Sequence, residues 1–216
     1  MTGKRPGPRL PAEQLAIAWQ SASLLLDYPD EELAFRLDLI QRLSGQLPFP
    51  VGEPLRRTVA RLGAIALPLA QREYVECFDS RRRTNLYLTY FAHGDTRRRG
   101  VALLRFKQTY LRSGYVLDDT ELPDHLCVVL EYAATVDQRL GWRLLLDHRA
   151  GLELLRLALA DADSPWLGAV EAVTGTLPPL VGDELTAVRR LAAEGPPREE
   201  VGLTPYAVPP MPGARR

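Results

Sequence analysis

Apolar residues return at three- and four-residue steps along nearly the whole chain. Leu15, Ala18, Trp19, Ala22 and Leu26 share one helical face before "DYPDEEL" breaks the pattern. Asp30 is placed to cap a second helix bearing Leu33, Leu37, Ile40 and Leu43, with Glu31 and Glu32 near its positive end. "GQLPFPVGEP" ends that helix, and Leu55, Val59, Leu62, Ala66 and Leu69 make a third stripe. "LAQREYVECFD" begins a fourth segment. Further on, Leu103, Phe106 and Tyr110 lie near one face with Leu104 and Leu111 beside it, and Gly114 suits a left-handed stop. Leu126, Val129, Leu130, Ala133 and Val136 form the next face. Pro165 after Ser164 opens another helix, and the spacing predicts a last one from about Asp183 to Ala193. No alternating strand pattern or long repeat appears, so the chain reads as an all-α, single globular domain.

Composition sharpens the boundaries. The C-terminal "GPPREEVGLTPYAVPPMPGARR" is proline-rich with little to bury, so 195–216 reads as a disordered tail. Residues 1–10 read as a flexible N-terminus, leaving 11–194 for the helical domain. The 216 residues carry a formal net charge of zero, so no overall field recruits nucleic acid or an anionic membrane. "MTGKRPGPRL" has no apolar stretch behind it, and no run long enough to span a bilayer follows; a cytoplasmic protein without stable membrane insertion is expected. The two cysteines, Cys77 and Cys127, are far apart and form no zinc-type pair, in keeping with a reducing compartment.

Candidate chemistry is sparse. Histidine and carboxylate meet at His93-Gly94-Asp95 and at Asp124-His125. A metal-dependent phosphohydrolase built on His93, Asp95, Asp124 and His125 is a distant reading, because adjacent helical residues point about 100° apart. No nucleophile elbow, phosphate loop or dinucleotide fingerprint is present, so neither an enzyme nor a bound cofactor or metal is expected. For "ELPDHL", capping is the favoured reading: Pro123 in a first helical turn, Asp124 beside the unpaired amides and His125 pointing sideways. Two arginine triplets, Arg81–Arg83 and Arg97–Arg99, bracket Tyr87, Tyr90 and Phe91. Solvated helix ends around buried aromatics fit the neutral charge better than a nucleic-acid surface. A groove for an amphipathic peptide is also permitted.

The stretch "YVECFDSRRRTNLYLTYFAHGDTRRRGVALLRFKQTYLRSGYVLDDTELPDHLCVVLEYAA", residues 74–134, resembles the core of the respiratory nitrate reductase assembly chaperones. These are the NarJ branch of the TorD/DmsD-like redox-enzyme maturation proteins. "LLLDYPDEEL" is similar to the same family's first helical hairpin. The resemblance implies the TorD/DmsD-like helical chaperone fold and no catalysis. It implies binding to the N-terminal segment of the apo catalytic (alpha) subunit of a molybdenum-containing nitrate reductase, in support of molybdenum cofactor and iron–sulfur cluster insertion. Molybdenum cofactor biosynthesis proteins are further partners it allows. The resemblance associates the Glu121–His125 loop with the peptide groove and the Tyr74–Asp79 helix with the same core; with the aromatic middle, the candidate client-binding residues are Tyr74, Glu76, Phe78, Asp79, Tyr87, Tyr90, Phe91, His93, Leu122, Pro123, Asp124 and His125. Beyond about residue 140 the likeness is general. An all-α scaffold for another partner is the alternative.

Overall fold

Helix α1, Ala12–Leu26, is buried on more than one face: Leu15, Ala18, Trp19, Ser21, Ala22, Ser23, Leu25 and Leu26 all lose their solvent. Such a helix needs neighbours on several sides. In the computed structural model, which describes residues 10–180 apart from 95 and 119, together with 182, 185, 186, 188 and 190, they are supplied by the rest of the domain. α2 (Leu33–Ser44) and α3 (Phe49–Gly63) pack on α1 and on each other, while α7 (Leu126–Thr135) and α10 (Leu167–Gly175) cover its remaining sides. The indole Nε1 of Trp19 donates to Thr176 Oγ1 at 3.0 Å, so this large, fully buried side chain is also paired. Between these lie α4 (Leu67–Tyr74), a π-helical turn (Val75–Asp79), the single turn α5 (Tyr90–His93) and α6 (Arg97–Arg112). α8 (Gln138–Asp147) and α9 (Arg149–Asp161) connect α7 to α10. Among the described residues there is no strand, only one isolated antiparallel bridge between Tyr87 and His125.

Close approach sets the tightest crossing. A Cβ on Gly168 would sit 2.0 Å from the carbonyl oxygen of Pro54, so α10 reaches α3 only because this residue has none. The expected α-helical fold is therefore realised, with local differences. Ala66 does not extend the third stripe; it is the exposed N-cap of α4, because the chain turns after Gly63 and Pro68 suits the next helix start. Asp30 does not cap α2 directly. The N-cap is Glu32, whose N–H donates to Asp30 Oδ1 at 2.9 Å. The buried Arg36 guanidinium grips Asp30, Asp27 and the Tyr28 carbonyl, fixing the loop between α1 and α2. Gly114 has φ 73°, as a left-handed stop requires. Leu104 and Leu111 face solvent instead of joining the core face of α6. Leu10 of the expected N-terminus is half-buried against the core, while residues 1–9 and the expected tail lie outside the described residues. So does the predicted last helix, except Leu185, Thr186, Val188 and Arg190, which are helical.

Candidate functional site

The segment 86–90 and the turn before α7 are tied by their backbones. Leu126 N–H donates to Leu86 O at 2.8 Å, and Leu88 N–H to Asp124 O at 3.1 Å. His125 N–H closes a turn onto Leu122 O at 3.0 Å, with Pro123 supplying the φ that its second position favours. From α6, Tyr110 Oη donates to Pro123 O at 2.6 Å, and burial pushes that phenol's pKa up. The motif is thus pinned from two directions.

Its carboxylate does not cap α7. The helix starts at Leu126, its N-cap is His125, and no side chain accepts from its first amides. Pro123 correspondingly lies in the preceding turn, not in the helix. Asp124 instead turns away and is fully buried, its Oδ2 accepting from Thr89 Oγ1 at 2.6 Å and from Thr89 N–H at 3.1 Å. Arg99 closes the arrangement, its Nη2 3.8 Å from Asp124 and its Nε donating to Thr89 Oγ1 at 3.3 Å. The same guanidinium lies over the Tyr87 ring at 5.2 Å and the Tyr90 ring at 6.0 Å. A buried carboxylate is tolerated when donors and a cation surround it, and this one holds two chain segments together. Arg99, expected at a solvated helix end, is instead largely buried on the face it shares with Leu103, Phe106 and Tyr110, and nothing local in the sequence marks Thr89.

His125 faces the other way. Its ring meets Tyr87 edge-on at 5.3 Å, and its Nδ1 is buried without a hydrogen-bond partner among the described residues. Burial lowers its pKa below 6.5, while the charges of Glu121, Asp124, Asp27 and Asp79 act to raise it. Those acids belong to the 118–125 loop, the end of α1 and the end of the π-helical turn, and their charges act at this histidine from three segments. Tyr87 Oη donates to Glu121 Oε1 at 3.3 Å, and Leu122 N–H donates to the same oxygen at 2.8 Å. Tyr28 and Leu122 are partly exposed apolar residues of the flanking segments.

The remaining predicted residues divide by burial. Tyr74 and Phe78 are in the core, their rings tilted against each other at 4.7 Å and meeting Trp166 edge-on at 5.5 and 5.3 Å. Tyr74 Oη donates to Leu26 O at 2.9 Å. Glu76 is exposed and paired with Arg81 at 2.7 Å, while Asp79 is exposed. Tyr90 and Phe91 are buried, and Phe91 packs so closely on Gly151 that a Cβ there would lie 3.1 Å from the ring. His93 is half-buried, its carbonyl accepting from Thr96 Oγ1 at 2.8 Å. Asp95 lies outside the described residues. No group of three His, Cys, Asp or Glu among the described residues converges on a common metal position. A separate cleft of about 400 Å³ lies between Arg61 on α3, Glu73 and Cys77 by the π-helical turn, and the Asp163–Trp166 connection.

Residues 45–172, which contain every one of these segments except the end of α1, match the family described as the nitrate reductase delta subunit. The chain belongs to that family. Among delta-subunit relatives, a Bacillus subtilis protein named as a nitrate reductase molybdenum cofactor assembly chaperone, NarJ, is 32% identical over 180 residues. That match covers 74% of this chain and 95% of the relative. The nitrate reductase-like protein NarX of Mycobacterium tuberculosis is 41% identical over 160 residues, 74% of this chain. The match spans only about a quarter (24%) of the length of NarX. A solved structure from Archaeoglobus fulgidus, a candidate redox enzyme maturation protein, superposes with a TM-score of 0.54 at 22% identity. The match covers 74% of this chain and 91% of that one, and shows that the two share a fold. No helix among the described residues is long and apolar enough to cross a membrane.

Proposed function

We propose that this delta-subunit family member is a non-catalytic cytoplasmic assembly chaperone for a molybdenum-containing nitrate reductase. It holds the N-terminal segment of the apo catalytic subunit while molybdenum cofactor and an iron–sulfur cluster are inserted. Proteins of cofactor synthesis are the further partners of that step. The observation that carries the reading is the match to a NarJ protein over 95% of that relative's length, together with the negative charge that Glu121, Asp27 and Asp79 exert at His125. An acidic rim with Tyr28 and Leu122 beside it suits a peptide that presents cations and apolar anchors. Leu122, Tyr87 and His125 form the contact surface in this reading. Glu76 and His93 stand at its margins. Tyr74, Phe78, Tyr90, Phe91, Pro123 and Asp124 act from beneath, fixing the segments that carry it.

The physical logic suits release as well as capture. A client segment that orders on binding loses entropy, which keeps the complex reversible. The neutral form of His125, favoured by burial, avoids placing a second cation against a basic peptide. The test is affinity capture with the tagged full chain from cells grown on nitrate, with and without molybdate starvation. Starved cells, rich in apo-subunit, should yield the catalytic subunit in excess over replete cells. Equal or absent recovery in both would turn the assignment toward a scaffold for another partner.

A further inference from the structure

On α6 the residues turned to solvent form an ordered pattern that the core does not need. Ala102, Phe106 and Tyr110 are buried, yet Val101, Leu104 and Leu111 on the other side are 58%, 54% and 61% exposed. With Gln108 they fall at steps of three, four and three residues, the a and d positions of a heptad. Arg98, Arg105 and Arg112, all exposed, repeat at seven-residue steps along one edge of that seam, and Lys107 lies on the other edge. The sixteen residues of α6 contain no acid.

We propose that this face docks an amphipathic helix of a partner protein, with apolar residues at its a and d positions and Glu or Asp flanking them. The seam is about 80° wide and about 15 Å long at 100° and 1.5 Å per residue, the narrow stripe of helix pairing. A bilayer interface calls for a broader apolar face, and here Arg97 and Gln108 interrupt even the narrow one. A second copy fits poorly, because two such helices would oppose arginines to arginines. An acidic helix meets both the apolar line and its cationic border, and Gln108 at an a position would fix the register. The face is opposite in charge to the rim around His125, so it recognises a different ligand. The inference stands whether or not the client is a nitrate reductase.

The test uses the full chain and two synthetic four-heptad peptides with leucine at a and d, one flanked by glutamate and one by lysine. Fluorescence anisotropy should show the glutamate peptide binding wild type at least tenfold more tightly than the lysine peptide. The triple variant Arg98→Glu, Arg105→Glu, Arg112→Glu, with an unchanged thermal midpoint, should reverse that order. Leu104→Ser should weaken the glutamate peptide at least fivefold. Failure of the reversal, or indifference to Leu104→Ser, overturns the proposal. So does flotation with vesicles of 30% phosphatidylserine in phosphatidylcholine without peptide binding, or a dimer in sedimentation that the triple variant abolishes. A basic client-type peptide titrated on the triple variant should keep its affinity, which separates this face from the rim.

Discussion

Replacing Asp124 removes the acceptor on which Thr89 and Arg99 converge, and the consequence follows from its surroundings. The carboxylate is fully buried, and both its bonds to Thr89 are buried too. Hydrogen bonds to a charged acceptor are each worth about 1.5–3 kcal/mol, and donors left buried add their own desolvation penalty. Part of that loss is offset, because alanine relieves the cost of burying a charge. Arg99 is partly exposed and can turn toward water, so its side of the loss is small. Asp124→Ala should therefore cost about 3 kcal/mol, a fall of roughly 6–12 °C in Tm for a chain of this size. The discriminating variants are Asp124→Asn and Asp124→Ser. Were the residue a helix cap, both would be nearly neutral, since Asn and Ser cap as well as Asp. As a buried lock, Asn loses the charge that faces Arg99 and buries its amide where Oδ1 has no hydrogen-bond partner among the described residues, and Ser cannot reach, so each should cost at least about 1–2 kcal/mol. Urea unfolding with unchanged slope is the assay, and a double-mutant cycle with Thr89→Ala should show strong coupling. Neutral Asn and Ser variants, or additive Thr89 and Asp124 effects, would refute the lock.

Other outcomes follow from the same geometry. His125 and His148 both have pKa values lowered by burial, so between their folded values and 6.5 the unfolded chain binds more protons. Stability should rise with pH up to about 6.5 and then level off, with His125→Gln reducing that slope; a stability that falls over that range would contradict the burial argument. Gly168→Ala should destabilise by at least about 2 kcal/mol, because the α3–α10 crossing must open to admit its Cβ, and an unchanged Tm would show the crossing is loose. Neutralising the rim with Asp79→Asn and Glu121→Gln should weaken a basic client peptide at least fivefold and flatten its salt dependence, with little change in Tm; equal affinity would remove the rim from the contact.

Helical periodicity carries most of this fold, since α1, α3, α6 and α7 each show their buried face as a repeat in the chain. The stops at Gly114 and before Pro68 are equally local. What the repeat cannot show is partnership across distance. Asp124 next to a helix start looks like a cap, and nothing nearby in sequence reveals that Thr89, thirty-five positions away, supplies better donors. Tyr74 and Phe78 illustrate the second limit. An aromatic pair at helical spacing fits a groove wall and a core equally, and only Trp166, from the far end of the chain, decides for the core. The rim was half legible: its motifs were visible separately, but the addition of Asp27 depends on Arg36 folding the α1–α2 loop back.

Calorimetry of the full chain with a peptide covering the N-terminal segment of the nitrate reductase catalytic subunit tests the chaperone reading at its point of contact. A 1:1 complex with Kd in the micromolar range, about −7 to −8 kcal/mol, and a negative heat-capacity change are expected. Affinity should drop with His125→Ala and fall as pH is lowered through the range where His125 gains its proton. No binding at tens of micromolar, or binding indifferent to both His125 and the acidic rim, would contradict it.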